Sequence, residues 1–164
     1  IYSDGGARGN PGPGGCGFVI KSQNQIFNFQ FSIFNEIPNL NVQIKNNTAY
    51  GSGFLGEVTN NQAEYHGILN ALKFLKSQLS SLNSQVSIEC FLDSQLIVEQ
   101  MNGRYKIKNG GLKPLYWQIR ELIMELGGKV SFKHIPREEN AEADKLVNQA
   151  IDKYLNTKKE QNEF

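Results

Sequence analysis

This chain of 164 residues has only two cysteines, a net charge close to zero and few long apolar runs. The two cysteines, Cys16 and Cys90, lie in apolar strand-like runs, and neither their spacing nor their neighbours fit a disulfide framework or a zinc site. We therefore expect both to be small buried hydrophobic side chains. The net charge of +1 excludes an overall basic field, so any contact with nucleic acid has to come from a local patch.

No apolar run approaches the roughly 20 residues that a membrane-spanning helix needs. We expect an intracellular protein, and the sequence does not separate nucleus, cytoplasm and mitochondrion. The chain begins at Ile1, only three residues before Asp4, whereas strands usually have about five or six residues. The first strand therefore looks cut, and we expect residues upstream of Ile1, such as a transit peptide or a further module.

The hydrophobic pattern predicts one α/β domain with the element order β-β-β-α-β-α-α-β-α, hence a mixed sheet flanked by helices. The predicted strands are residues 1–4, 16–21, 25–34, 85–92 and 128–135. The predicted helices are residues 61–82, 94–101, 112–126 and 140–155. Residues 35–58 are polar and glycine-spotted, and we interpret them as a long connection with at most a short extra strand at 40–44. The glycine-rich segment from Gly5 to Gly15 is predicted to be a turn.

Four carboxylates stand in segments that present them rather than bury them: Asp4, Glu64, Asp93 and Asp144. Asp4 and Asp93 follow apolar runs, at the strand ends where open α/β sheets place their sites, and Glu64 and Asp144 lie near helix starts. Four carboxylates gathered without cations would repel one another, and a pair of divalent metals removes that cost. Two metals held by carboxylates are a standard arrangement for in-line phosphoryl displacement.

Each carboxylate also has an ordinary structural interpretation. An aspartate after a strand is often a turn or helix-capping residue, and Asp93 could cap the helix that follows it. Glu64 could be a solvated helix residue, and Asp144 could pair with Lys145 at the surface. All four interpretations have to hold together for the metal hypothesis to fail.

The blocks around these carboxylates resemble a known family. YSDGGARGNPGPGGCGFVI, TNNQAEYHGILNAL, LDSQLIVEQMNGRYKIKN, LKPLYWQI and HIPREENAEADKLVNQA occur in the order found in type 1 ribonucleases H, without the family's long basic protrusion. The resemblance implies a ribonuclease H-like fold, with a five-stranded mixed sheet of order 3-2-1-4-5 whose first three strands are antiparallel. It also implies a domain at residues 1–156, with an enlarged connection at about 35–58 and a flexible tail at 157–164.

The activity that this resemblance implies is hydrolysis of the RNA strand of RNA–DNA hybrids, leaving 5′-phosphate and 3′-hydroxyl ends. The family's metal-binding and catalytic carboxylates fall on Asp4, Glu64, Asp93 and Asp144. Two Mg²⁺ ions are implied, and Mn²⁺ is expected to substitute because it also prefers oxygen ligands. The implied partner is the hybrid, bound by a monomer that could be fused to an upstream module.

Residues for substrate contact are implied in the same way: Asn10, Thr59, Asn60, Asn61 and Gln95. A contact to the 2′-hydroxyl is how a protein distinguishes RNA from DNA. Asn10 could instead be an ordinary turn asparagine, and Thr59 and Asn60 could cap the first long helix; capping and phosphate binding can coexist at a helix N-terminus.

Two residues before the last helix are candidate catalytic helpers. His134 has a spacing that resembles the family's mobile histidine, but it ends a predicted strand. Arg137, in HIPREEN, resembles the subgroup with a short segment at this position and is the nearer charged group.

Two other functions remain open at this point. A non-catalytic nucleic-acid-binding or scaffold domain could keep the fold, although such domains usually lose carboxylates. The chain could also be a ribonuclease H module of a larger polyprotein or reverse transcriptase.

Overall fold

The computed structural model describes residues 1–23, 39–79 and 86–162. The strands in these residues are β1 (Tyr2–Ala7), β2 (Gly12–Lys21), β3 (Leu40–Lys45), β4 (Thr48–Val58), β5 (Ile88–Leu92) and β6 (Val130–His134). The helices are α1 (Asn60–Leu79), α2 (Gln95–Met101), α3 (Lys113–Glu125) and α4 (Ala141–Asn162), and a 3-10 turn at Arg137–Asn140 precedes α4.

The strands form one mixed sheet in the order β3-β4-β2-β1-β5-β6. β2 pairs antiparallel with β1 and β4, β3 pairs antiparallel with β4, and β5 lies parallel to both β1 and β6. The α/β class and the flanking helices are confirmed, but the five-strand order 3-2-1-4-5 is wrong: the described residues hold six strands. β4 occupies the place beside β2 that we expected residues 25–34 to fill, and those residues lie outside the described ranges.

The additional strands come from residues 40–58, which form a hairpin instead of an irregular connection. Asn46 and Asn47 turn the chain with φ values of 47° and 57°, and two consecutive left-handed residues give the twist that tight hairpins favour. β3 was anticipated as a short extra strand. β4 was missed because two of its three buried positions are glycines, Gly51 and Gly53, so the strand lacks the alternating apolar side chains that mark one in a sequence.

The glycine-rich segment is mostly strand, so the predicted turn from Gly5 to Gly15 is too long. β1 continues to Ala7 and β2 begins at Gly12. The glycines serve close packing instead: a β-carbon on Gly5 would lie 2.0 Å from the backbone carbon of Ala63 in α1, and one on Gly17 would lie 2.6 Å from a backbone oxygen of α4. Helices can therefore approach β1 and β2 from both faces of the sheet.

α1 packs on one face of the sheet together with α3, and α4 packs on the other. Apolar side chains of the sheet, α1 and α3 form the main core. Cys16 and Cys90 are free and fully buried within the interior, as predicted. α4 extends to Asn162, well beyond the predicted helix end at residue 155; the domain boundary at 156 stays a prediction. None of the helices in the described ranges is both long and apolar enough to cross a membrane.

We expect Gly5→Ala to lower the free energy of unfolding by at least about 1–3 kcal/mol, because the added methyl group meets the backbone of α1 and neither element can move freely. Guanidinium denaturation measures the change. The matched control is Gly110→Ala, since a β-carbon there has nothing within 4 Å and should change stability by less than about 0.5 kcal/mol. Equal midpoints for the two variants would contradict the packing argument.

Candidate active site

Three carboxylates meet beside the neighbouring strands β1 and β5 of the sheet, and Asp4 lies inside its strand and not at the strand end that we predicted. Asp4 lies in β1, Asp93 follows β5 by one residue, and Glu64 lies in the second turn of α1. One oxygen of each lies within 4.8 Å of the others, so the three form a group, named here the acidic triad. The sequence predicted that four carboxylates come together, and the structure places these three of the four within contact range.

Asp4 is nearly buried, with 7% of its surface exposed. Its Oδ1 accepts a hydrogen bond of 2.8 Å from the backbone N–H of Gly5. The pKa of Asp4 is raised to about 7, first by burial and then by the charge of Asp93, which together outweigh the Gly5 hydrogen bond. The carboxylate is thus held in place but poorly compensated.

Glu64 carries the strongest sign of an unmet interaction. Its Oε2 is buried without a hydrogen-bond partner. Burial first, and then the charges of Asp4 and Asp93, raise the pKa of Glu64 well above its usual range. Buried polar atoms in native proteins are nearly always paired, so an orphaned carboxylate oxygen beside two further carboxylates calls for a cation.

Asp93 is fixed by the segment that leads from β6 into α4. Asn140 Nδ2 lies 2.8 Å from Asp93 Oδ1 and donates to it. The ring Nε2 of His134 lies 3.2 Å from the backbone oxygen of Asp93. His134 therefore contacts the backbone of this aspartate and not a carboxylate of the acidic triad.

Asp144 stands apart from the acidic triad. Its Oδ1 pairs with the Arg137 guanidinium at 2.9 Å, and its Oδ2 accepts a hydrogen bond of 3.1 Å from Asn148. It is close enough to raise the pKa of Asp4, while the charge of Arg137 lowers it. The structure thus brings three of the four predicted carboxylates into contact range and places the fourth nearby with its own cationic partner.

The donor set of the acidic triad suits a hard divalent cation. All its ligand atoms are carboxylate oxygens, which Mg²⁺ and Mn²⁺ prefer, and no other residue type in the group competes. The orphaned Glu64 oxygen and the raised pKa of Asp4 show that protein groups alone do not balance the charge. Such a cation could activate water or polarise a phosphate oxygen.

The tight turn between β1 and β2 is tied to the start of α1. Asn10 Oδ1 accepts from the backbone N–H of Asn60 at 3.1 Å, and Asn60 Oδ1 accepts from the N–H of Ala7 at 2.8 Å. Thr59 and Gln62 bond each other's backbone N–H groups, which is a capping box. The capping interpretation of this helix start is therefore supported. Asn10 and Asn60 are both exposed.

The remaining predicted contact residues differ in exposure. Asn61 is half-buried in the first turn of α1, and Gln95 is exposed as the first residue of α2. Neither makes a side-chain hydrogen bond to the acidic triad within the described ranges.

Asn140 and Gln62 were missed from the sequence. Asn140 lies in the polar run REEN, where nothing in the pattern marks it as buried, yet it is 1% exposed. The available signal was its position four residues before Asp144, one helical turn away. Gln62 could have been found from the spacing T-x-x-Q, which is typical of a capping box.

Comparison with known proteins places this arrangement in context. A family model described as reverse transcriptase-like matches residues 45–150. The ribonuclease HI of Halobacterium salinarum is 31% identical over 151 residues, which are 92% of this chain and 63% of that protein. A bifunctional protein of Mycobacterium tuberculosis is 34% identical over 152 residues, which are 93% of this chain and 35% of that protein.

Solved structures agree with the sequence relatives. LC11-RNase H1 is an enzyme isolated from compost, and its crystal structure was solved in complex with an RNA/DNA hybrid. It is 42% identical to this chain, and the two structures superpose with a TM-score of 0.76. The match covers 94% of this chain and 96% of LC11-RNase H1. The chain spans about a third of the length of the first curated relatives that it matches (35%).

The acidic triad predicts how stability depends on pH. The pKa values of Asp4 and Glu64 are higher in the folded than in the unfolded chain. At a pH between the unfolded and the folded pKa of each group, the folded state therefore binds more protons than the unfolded state. In EDTA, the free energy of unfolding should therefore fall as the pH rises from about 4 through about 7. Asp4→Asn should raise it at pH 8 by about 2–4 kcal/mol and leave it nearly unchanged at pH 4.

Urea unfolding of both proteins at the two pH values measures this. Two results would contradict the conclusion that ionised carboxylates of the acidic triad destabilise the metal-free fold. One is a wild-type protein that gains stability between pH 4 and pH 8 without metal, and the other is an Asp4→Asn variant that is no more stable than the wild type at pH 8.

Proposed function

The chain belongs to the type 1 ribonuclease H family, and we propose that it is a metal-dependent endonuclease that hydrolyses the RNA strand of RNA–DNA hybrids. The observation that carries the proposal is the acidic triad, whose three carboxylates have oxygens within 4.8 Å of one another. The products are 5′-phosphate and 3′-hydroxyl ends, formed by in-line attack of water on the scissile phosphate.

We assign the metal ligands to Asp4, Glu64, Asp93 and Asp144. Two Mg²⁺ ions, for which Mn²⁺ can substitute, would supply charge neutralisation and water activation when bound. Asp4 and Asp93 are held by hydrogen bonds from Gly5 and Asn140, so their remaining oxygens are presented in fixed directions. This preorganisation removes the need for the carboxylates to reorient during the reaction.

Asp144 takes the outer position in this assignment. Its carboxylate is partly exposed and paired with Arg137, so it could reach a bound cation from the solvent side of the acidic triad. Arg137 is the better supported helper, because its guanidinium faces the carboxylates and lowers the pKa of Asp4 and Glu64. His134 is the weaker candidate because its ring bonds to the Asp93 backbone.

We assign hybrid contact to the tight turn and the start of α1, through Asn10, Thr59, Asn60 and Asn61, and to Gln95 at the start of α2. The hydrogen bonds among Asn10, Asn60 and Ala7 hold the turn against the helix. Because the Asn10 amide oxygen accepts one of these bonds, the orientation of its NH₂ group is fixed. Amide groups can donate to and accept from a 2′-hydroxyl, which supports selection of the RNA strand.

A non-catalytic binding or scaffold role is the second candidate function. It is disfavoured by the unpaired Glu64 oxygen and the raised pKa of Asp4, since a protein without metal chemistry gains nothing from keeping these charges buried together. Partners of such a domain would still bind when the carboxylates are neutralised.

We expect Asp93→Asn to reduce hybrid cleavage at least about 10²–10³-fold, because a ligand charge is lost where charge develops in the transition state. The assay follows a labelled RNA–DNA hybrid with Mg²⁺ and with EDTA. The matched control is Glu125→Gln, an exposed carboxylate on α3 paired with Lys76, which should cleave like the wild type. Equal cleavage by the wild type and Asp93→Asn, or full activity in EDTA, would overturn the proposal.

A further inference from the structure

The side chain of Asn140 bridges Asp93 and the backbone of the strand that carries Asp4. Its Nδ2 donates to Asp93 Oδ1 at 2.8 Å and to the backbone oxygen of Ser3, the residue before Asp4, at 3.0 Å. A carbonyl oxygen and an ionised carboxylate accept hydrogen bonds but do not donate them. The amide therefore has one orientation, with its NH₂ group toward Asp93 Oδ1 and the Ser3 backbone oxygen.

This amide lies where the pairing of the central strands has ended. β1 and β5 are paired at Tyr2 and Phe91, and the Phe91 N–H donates to the oxygen of Ile1 at 2.8 Å. Asp4 and Asp93 lie two residues further along each strand. Beyond the last paired residues, the Asn140 side chain supplies a bridge between the strand that carries Asp4 and the one that leads to Asp93.

A purely structural asparagine would have its polar atoms satisfied. Asn140 is 1% exposed, yet its Oδ1 is buried without a partner. In the described ranges, the buried side-chain polar atoms that lack a partner belong to Ser3, Glu64 and Asn140, and all three residues lie at the acidic triad or next to it. The protein keeps an unpaired amide oxygen here, which is unfavourable for stability and points to a role for the NH₂ group.

We propose that Asn140 is a positioning residue of the metal centre: its amide occupies one oxygen of Asp93 and sets the location of that carboxylate relative to Asp4. This inference rests on the proposed function. Ligating carboxylates are usually hydrogen-bonded by surrounding groups, and loss of such a partner typically weakens metal affinity or activity by about 10–100-fold. Asn140 is only 1% exposed, so a bound hybrid cannot reach its side chain and hybrid binding should not depend on it.

The test compares the wild type with Asn140→Leu, which keeps the approximate shape but removes both donors, and with Asn140→Ala. The matched control is Asn70→Ala, because Asn70 is also a buried asparagine, and its side-chain amide donates to Cys16 Sγ and not to a residue of the acidic triad. Mn²⁺ affinity is measured by electron paramagnetic resonance of free Mn²⁺. We expect dissociation constants about 10–100-fold higher in both Asn140 variants and an unchanged value in Asn70→Ala.

Cleavage assays add a second readout. The Mg²⁺ concentration for half-maximal activity should rise in the Asn140 variants, while KM for the hybrid at saturating Mg²⁺ stays that of the wild type. Nuclear magnetic resonance of the ¹⁵N-labelled wild type needs no variant: the side-chain NH₂ signals of Asn140 should shift as Mg²⁺ binds, and those of Asn70 should not.

The outcomes separate the two proposals. Wild-type Mn²⁺ affinity in Asn140→Leu, or Asn140 signals that do not respond to Mg²⁺, would overturn the positioning role and leave the nuclease proposal intact. A wild type that neither binds Mn²⁺ nor cleaves the hybrid would overturn both. If the Asn140 variants do not fold, the resonance experiment decides.

Discussion

Repulsion among the desolvated carboxylates of the acidic triad is the constraint on which the site depends. Asp4, Glu64 and Asp93 have oxygens within 4.8 Å of one another, and burial first, then the charges of neighbouring carboxylates, raises the pKa of Asp4 and Glu64. The fold tolerates the arrangement because the sheet and α1 are held together elsewhere by an extensive apolar core. A bound divalent cation would offset the electrostatic free energy that it costs to keep the carboxylates of the acidic triad ionised together.

Close packing brings these charges together. The backbone of α1 reaches β1 only because Gly5 has no side chain, and this contact places Glu64 beside Asp4. On the opposite face, Gly17 lets α4 approach β2, which positions the segment that carries Asn140 and Asp144. The glycine-rich motif therefore acts through helix–sheet distances as much as through the tight turn it contains.

Much of this could be predicted from the sequence, because the relevant signals are local. Helical periodicity placed the described helix ends to within a few residues, apart from α4, which ends at Asn162 and not at residue 155; the predicted end of the first helix at residue 82 lies outside the described ranges. The strand before Asp93 ends at Leu92 as predicted but begins at Ile88 and not at residue 85. β4 escaped because its glycines hide the strand pattern, and Asn140 escaped because burial of one polar residue in REEN depends on distant partners, Ser3 and Asp93. The separate state of Asp144 depends on its pairing with Arg137, which spacing alone does not fix.

A crystal structure of the protein grown with Mn²⁺, with the ion located by its anomalous scattering, tests directly whether the acidic triad binds metal. We expect a Mn²⁺ ion coordinated by oxygens of Asp4, Glu64 and Asp93. An anomalous map without a peak among these three carboxylates at saturating Mn²⁺, or with the ion bound only at other residues, would contradict it.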